Sequence, residues 1–146
     1  IHKNSKILYD NLNLNNSSFK KIYRFQPTII IHLAWEGIPN YTKMKSSKNL
    51  FDQKKFFKKI LKISSIKKII VTGSCFEYDK LNFTSKYFIW AKNTLRNFLD
   101  RECKNKKIFL NWLRIFYVYG PGQKEGSLIP YIFLSKIKKK VSFKNT

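Results

Sequence analysis

Side chains that can exchange protons lie at two places in the middle of the sequence. Ser74 and Tyr78 come at the end of a β-type run, and Tyr87 and Lys92 lie near the start of a helical stretch. Hydroxyl, phenol and amine groups are used for general acid–base chemistry. A phenol four residues before a lysine would share its helix face, but that position holds Phe88, whose ring has no proton to exchange. Tyr87 directly precedes Phe88, and a shift of one position turns a side chain by about 100° around the helix, away from the face of Lys92.

The cysteine pattern predicts neither a metal site nor disulfides. Cys75 and Cys103 form no CxxC pair, and no histidine lies nearby at metal-ligand spacing. The sequence has no apolar run near the roughly 20 residues that a membrane-spanning helix needs, and no secretory signal at its start. We therefore expect a cytoplasmic protein without a membrane partner.

The net charge of +22 comes from 30 lysines and arginines against 8 aspartates and glutamates. Such an excess resembles a phosphate-binding surface. However, the basic residues are scattered in pairs such as Lys20-Lys21 and Lys67-Lys68, and only four of them are arginines. Base reading and bidentate phosphate recognition favour arginine. The composition therefore argues against nucleic-acid binding as the function.

The order of elements predicts an α/β protein with a parallel sheet covered by helices, because β-type runs alternate with amphipathic stretches. Strands are expected at residues 6–9, 28–33, 68–72 and 108–115, and helices at about 17–26, 47–63, 86–103 and from about 127. The strand at 28–33 is almost continuously apolar and is expected to be buried on both faces. Apolar residues at helical spacing predict the inward side chains; they are Leu50, Phe51, Phe56, Phe57, Ile60 and Leu61, then Trp90, Leu95, Phe98 and Leu99.

Three segments resemble, in the same order, the extended short-chain dehydrogenase/reductase family, the NAD-dependent epimerases and dehydratases of sugar nucleotides. His32-Leu33-Ala34 resembles the segment that ends the family's fourth strand. Thr72-Gly73-Ser74 with Tyr78 resembles the strand of the catalytic serine, and residues 114–123, RIFYVYGPGQ, resemble the family's R-x-F-x-V-Y-G-P-G-Q stretch. The resemblance implies a partial Rossmann-like, doubly wound parallel sheet.

The resemblance also implies that parts of the family's domain are missing. Residues 7–10 resemble the third strand, whose following Asp10 would bind the adenine. The glycine loop that cradles the phosphates after the first strand has no counterpart. Residues 1–146 would then be a fragment of the NAD(P)-binding domain, without its first two strands and without the C-terminal substrate domain. Because the order 3-2-1-4-5-6 would leave a gap in the sheet, we expect the chain alone to fold poorly.

The family's chemistry, carried over by resemblance, assigns roles to individual residues. Ser74 would hydrogen-bond the reacting oxygen, and Lys92 would lower the pKa of the catalytic phenol and hold the nicotinamide ribose. The cofactor, NAD or NADP, would contact Asp10, Leu33, Ala34, Thr72, Lys92 and Ile115. The nucleotide-sugar substrate would contact Ser74, Tyr117, Ser127 and Leu128. A family-like homodimer would form through the helices at 47–63 and 86–103.

The chain departs from the family at the catalytic tyrosine, because Phe88 occupies its position. Tyr87 could serve only if the helix start were irregular. The 4,6-dehydratases place an Asp-Glu pair directly after the serine or threonine, where this chain has Cys75 and Phe76. Glu77 is one position late and, on a strand, would point to the opposite face. Dehydration is therefore disfavoured, and an epimerase or ketoreductase is preferred.

Three functions stay open on this reading. The first is an NAD(P)-dependent nucleotide-sugar epimerase or ketoreductase whose usual catalytic tyrosine is replaced in this copy by Phe88, which would leave it inactive unless Tyr87 serves. The second is a non-catalytic relative that binds a nucleotide sugar or a dinucleotide. The third is a basic nucleic-acid-binding protein, which would lose affinity steeply with salt.

Overall fold

Helices and strands alternate along the residues that the structure, a computed structural model, describes: 6–8, 19–39, 41–78, 85–116, 118, 120, 123 and 132. The helices are α1 (Phe19–Phe25), α2 (Lys43–Ile60) and α3 (Lys86–Asn105). The strands are β1 (Ile29–His32), β2 (Lys68–Ser74) and β3 (Phe109–Ile115), and a short 3-10 helix (Cys75–Tyr78) follows β2 directly. This order confirms the α/β class predicted from the alternating pattern.

The strands form one parallel sheet in the order β1-β2-β3. Ile29 lies opposite Lys68, and Lys68 lies opposite Phe109, so the register runs without a slip. Parallel strands bring their carboxyl ends to one edge of the sheet, so the residues that follow β1 and β2 and the end of β3 meet there. That edge is where open α/β sheets bind their ligands. The described part of the chain is thus a partial Rossmann-like sheet.

The core lies between the sheet and the paired helices α2 and α3. Ile69 and Val71 of β2 point into it, and the two helices contribute Phe57, Ile60, Leu95 and Leu99, all of them fully buried. Most of the predicted inward residues are confirmed, but Phe51 is 67% exposed and Trp90 is about half exposed. Each is one position away from a buried neighbour, Leu50 or Ala91, and one position turns a side chain by about 100° out of the buried stripe.

Strand β1 is not buried on both faces, which corrects the prediction from its apolar sequence. His32 is buried, whereas Ile31 is 64% exposed and Ile29 is also exposed. Side chains alternate between the two faces of a strand, and the described helices cover the face that carries His32. The continuous apolar run therefore wrongly predicted that β1 is covered on both faces. Among the described residues, only the face of His32 is covered by helices.

The predicted first strand at residues 6–9 is wrong for residues 6–8, which have no strand structure and expose their side chains. A strand needs a neighbour that completes its ladder of hydrogen bonds, and no described strand pairs with this segment. Tyr9 and Asp10 lie outside the described residues, as does the predicted helix start near Ser127.

The chain divides into two compact units, Ile1–Ile115 and Phe116–Thr146. All of α1–α3 and β1–β3 belong to the first unit. In the second unit, the backbone N–H of Gln123 donates to the carbonyl of Gly120. No helix among the described residues is long and apolar enough to span a membrane.

His32 makes the stability of the fold depend on pH. Its ring packs between Phe56 and Phe57, with centroid distances of 5.3 and 4.8 Å. Burial, and secondarily the charge of Lys92, lower the pKa of His32 to about 4. The unfolded chain therefore takes up this proton first, so stability is lost as pH falls from 6.5 towards 4.

We expect about 2 to 3 kcal/mol of the free energy of unfolding to be lost over that range through His32 alone. Urea unfolding at pH 7, 5 and 4 measures it. His32→Leu should flatten the curve by this amount, because the variant lacks the buried imidazole. Equal pH dependence in both proteins would refute the assignment.

Candidate functional site

Lys92 is buried at the carboxyl end of β2, with 4% of its surface exposed. Its Nζ donates a hydrogen bond of 2.8 Å to the carbonyl of Thr72 and lies 4.1 Å from the ring centroid of Trp35. The Phe88 ring is the next nearest aromatic face, at 5.8 Å. Burial lowers the pKa of Lys92 to about 8, although the charge of Glu77 acts in the opposite direction.

This lysine has no ion-pair partner within 4.0 Å among the described residues. A carbonyl dipole and an indole face compensate its charge instead. Removing an ammonium from water costs several kcal/mol, so an apolar residue would serve the fold better. A buried amine with a strongly lowered pKa at the ligand-binding edge of a sheet is a functional-site candidate rather than a core residue.

Ser74 ends β2 two residues after the carbonyl that binds Lys92. Its half-buried side chain accepts a hydrogen bond of 3.3 Å from the backbone N–H of Phe76, which caps the 3-10 helix. Ile115, the last residue of β3, lies directly opposite Ser74 in the ladder. The Lys92 ammonium thus binds the carbonyl of Thr72, and Ser74 follows two residues later with Ile115 opposite it on the adjacent strand.

Glu77 fixes the geometry of this strand end. The chain leaves the strand at Ser74, and the 3-10 helix turns the Glu77 carboxylate back into the protein, where 1% of the side chain is exposed. It accepts hydrogen bonds from Ser74 N at 2.7 Å, from Trp112 Nε1 at 2.9 and 3.0 Å, and from Arg114 Nε at 3.2 Å. The expectation that Glu77 continues a strand and points to the opposite face is therefore wrong. Its carboxylate is fully used within the fold.

Gly73 leaves the space that this carboxylate occupies. A Cβ on residue 73 would collide with Trp112 Nε1 and Glu77 Oε1. We expect Gly73→Ala to lower the free energy of unfolding by about 2 to 3 kcal/mol, because the collision displaces a buried charge network. Urea unfolding measures the loss. The exposed Lys55→Ala should change stability by less than about 0.5 kcal/mol, and an equally small effect of Gly73→Ala would contradict the packing.

The loop after β1 is held by two polar side chains of α2. Gln53 donates from Nε2 to the carbonyl of Ala34 at 2.8 Å. Asn49 accepts from the backbone N–H of Glu36 and donates to its carbonyl, each at 3.0 Å. Between these anchors Trp35 is placed over Lys92. Asn49 and Gln53 were not predicted from the sequence. The feature that could have indicated them is two amide side chains, four residues apart, on the apolar face of α2.

Phe88 packs beside Lys92, in the position that the resemblance assigns to the catalytic tyrosine. It is 4% exposed, and its ring contacts Trp35 edge-on at 5.6 Å and Tyr41 at 4.8 Å. Tyr87 instead lines a cavity of about 310 Å³ together with Lys43, Ser47, Lys86 and Trp90. The structure thus places Phe88, and not Tyr87, among the rings nearest the Lys92 ammonium.

The other predicted contacts are only partly described. Leu33 is exposed and Ala34 follows it at the carboxyl end of β1. Four predicted residues lie outside the described part of the chain and stay predictions: Asp10, Tyr117, Ser127 and Leu128. Cys75 and Cys103 are free thiols, and burial raises the pKa of Cys103 to about 11. Among the described residues, no group of three or more His, Cys, Asp or Glu could hold a metal ion.

Comparison with known proteins shows similarity at the level of the fold. No family model and no curated protein matches the sequence. A solved structure of a GDP-L-fucose synthetase from Naegleria fowleri bound to NADP is similar, with 16% sequence identity and a TM-score of 0.58. The match covers 82% of this chain and 46% of that one, so the chain spans less than half of the length of this relative. It places the sheet and helices in a Rossmann-like α/β fold.

Proposed function

We propose that the chain is part of an NAD(P)-dependent enzyme of the extended short-chain dehydrogenase/reductase kind that acts on a nucleotide sugar as a ketoreductase or epimerase. The observation that carries the proposal is the buried Lys92 ammonium, which binds the Thr72 carbonyl near the carboxyl end of β2, two residues before Ser74. The similar solved structure, a GDP-L-fucose synthetase, was bound to NADP. The fold of that protein supports a dinucleotide cofactor, and its bound NADP and its action as a GDP-L-fucose synthetase support the proposed cofactor and substrate class.

The residues at this edge fit the nicotinamide end of such a cofactor. An ammonium group has three donors, and the Thr72 carbonyl takes one of them. The others suit the neutral hydroxyls of a ribose, which accept without bringing a charge into a buried site. Ile115 and the backbone after β1 at Leu33 and Ala34 border the same edge. When bound, the cofactor supplies or accepts a hydride.

The chain's own residues then divide the remaining work. The Ser74 hydroxyl holds the reacting sugar oxygen, and Glu77 fixes the backbone from which Ser74 projects. Lys92 orients the ribose, and Trp35 shields its ammonium from water. Tyr117, Ser127 and Leu128 are proposed from the resemblance to touch the nucleotide sugar. Because Phe88 has no exchangeable proton, the proton must come from elsewhere.

NADPH titrated against the chain tests the proposal by fluorescence and calorimetry. We expect saturable binding that weakens at least tenfold in Lys92→Met, because the variant loses the donor to the ribose. Lys86→Met is the matched control, since Lys86 lies on the same helix but is exposed, and its affinity should stay within twofold. Absence of saturable binding at millimolar NADPH, or equal affinity in Lys92→Met, would overturn the proposal.

The buried Phe88 favours one alternative, a relative that binds nucleotide sugar or dinucleotide without turnover. Both functions predict binding, and they differ in chemistry. NADPH oxidation with keto forms of UDP-, GDP- and dTDP-linked sugars separates them. Turnover by the wild-type chain supports the enzyme, whereas binding without turnover, unchanged by Phe88→Tyr, supports the non-catalytic relative.

The outer surfaces of α2 and α3 suit a second copy of the chain, which we propose as the partner. Met44 and Phe51 of α2 and Trp90 of α3 are exposed large apolar side chains on these helices. We expect Phe51→Glu to convert a dimer to a monomer in analytical ultracentrifugation, because a desolvated carboxylate would face the partner helix. A wild-type chain that sediments as a monomer at 100 µM would contradict it.

A further inference from the structure

Tyr41 lies against the ring that occupies the family's tyrosine position. Its ring centroid is 4.8 Å from that of Phe88, with the planes tilted by 39°. It comes from the loop between β1 and α2, directly before Thr42, whose side chain caps α2 by accepting from the Lys45 N–H. The phenol is therefore held at the border of the site by a capped helix end and by ring contact.

The Tyr41 ring is linked to the site through Phe88, whose ring centroid also lies 5.8 Å from Lys92 Nζ. Burial raises the pKa of the Tyr41 phenol, and a negative charge on Cys75 would raise it further. At neutral pH the hydroxyl stays protonated and is available as a donor.

The other tyrosines near the site have different positions. Tyr87 lines the cavity of about 310 Å³ that Lys43 and Trp90 also border, and the Lys86 ammonium lies 5.0 Å from its ring centroid. Tyr78 is exposed and stacks with the Arg114 guanidinium at 4.1 Å. Of the tyrosines in the described part of the chain, Tyr41 is the one whose ring contacts Phe88.

We propose that Tyr41 is the proton donor of this site, supplying from the β1–α2 loop the phenol that Phe88 lacks. The inference rests on the proposed function. As a hydride from the reduced nicotinamide adds to the carbonyl carbon of a keto sugar, the proton passes from Tyr41 Oη to the carbonyl oxygen held by Ser74. The product is the alcohol, and the phenolate then regains a proton from water.

This placement also selects the direction of the chemistry. A neutral phenol can give a proton to a carbonyl oxygen, whereas oxidation of an alcohol needs a phenolate to accept one. The Lys92 ammonium, whose charge would favour a phenolate, lies over the rings of Trp35 and Phe88. The site therefore fits reduction of a keto nucleotide sugar better than an epimerisation that begins by oxidation.

The test compares Tyr41→Phe with Tyr23→Phe, an exposed tyrosine on α1. Both variants keep their rings, so the packing against Phe88 is preserved. With NADPH and a keto nucleotide sugar, Tyr41→Phe should lower the single-turnover rate at least 100-fold, and Tyr23→Phe should change it less than twofold. Adding Phe88→Tyr to Tyr41→Phe should restore at least tenfold.

A second readout does not depend on turnover. The ring-carbon NMR signal that Tyr41→Phe removes should shift when NADP⁺ and the sugar nucleotide bind, while the Tyr23 signal stays fixed. Binding with an unmoved Tyr41 signal, or unchanged turnover in Tyr41→Phe, would overturn the role of Tyr41 and leave the proposed function standing. Absence of NADPH binding to the wild-type chain would overturn both.

Discussion

Replacing Glu77 with alanine is expected to remove a large part of the stability of the fold at 25 °C. The buried carboxylate accepts from the backbone of Ser74 and from Trp112, and it pairs with Arg114 at 3.2 Å. Its removal leaves a partly buried guanidinium without its carboxylate and two N–H groups without acceptors. Breaking a buried pair costs about 3 to 5 kcal/mol, a large part of the stability of a small domain.

Circular dichroism in urea measures the loss for Glu77→Ala. Asp100→Ala is the control, because Asp100 forms an exposed pair with Arg96 at 3.8 Å on the surface of α3. Such surface pairs contribute about 1 kcal/mol or less, so the control should unfold near the wild-type midpoint. A Glu77→Ala midpoint that equals that of the control would show that the strand end does not depend on this network.

Replacing Lys92 with methionine is expected to have the opposite effect on stability. At pH 7 the folded and the unfolded chain both carry the charge, and burial makes it costly in the folded state, as the lowered pKa of about 8 shows. Methionine fills similar volume without a charge. We expect the free energy of unfolding to rise by about 1 to 3 kcal/mol, net of the lost contacts with Thr72 and Trp35.

The pH dependence identifies the cause of that gain. Between pH 8 and 10.5 the unfolded chain holds the Lys92 proton and the folded chain has released it, so the stability contribution of Lys92 rises with pH. The advantage of Lys92→Met should therefore shrink over this range and largely vanish by pH 10.5. A variant that is less stable than wild type at pH 7 would show that Lys92 is a structural residue.

Together these two expected results would describe a site that is kept at a cost to the fold. Glu77 would stabilise the strand end, whereas Lys92 would destabilise it. Residues of that second kind concentrate where a protein binds or reacts with a ligand. Opposite signs of the two stability changes would distinguish Glu77, which holds the site in place, from Lys92, which is proposed to bind the ligand.

The sequence predicted the order of elements because strands and helices differ in period, and the runs here are long enough to show it. It failed for side chains at the border of a helix face, such as Phe51 and Trp90, where one position decides between core and solvent. It also failed for residues 6–8, because a strand depends on a partner that its own sequence does not contain. The exposure of Ile31 was not predicted for a similar reason, since the hydrophobicity of a strand does not show which of its faces the rest of the protein covers.

The candidate site can be predicted only as far as it follows from local spacing and resemblance. Ser74 and Lys92 lie in recognisable segments, and the structure places Lys92 Nζ at the Thr72 carbonyl, two residues before Ser74. The contacts of Glu77, Gln53 and Tyr41 depend on a 3-10 turn and on packing between segments distant in sequence. Such contacts leave no periodic signal, so they could be found only from the fold.

The most direct test of the account is the titration of Lys92 by NMR of lysine labelled at Cε. We predict one signal that titrates at a pKa of about 8, that is absent from Lys92→Met and that moves to higher pKa with saturating NADPH, because ribose hydroxyls and phosphate charge favour the ammonium. A Lys92 signal that titrates at 10.5 with the surface lysines, or that ignores NADPH, would contradict the assignment of this lysine to a cofactor site.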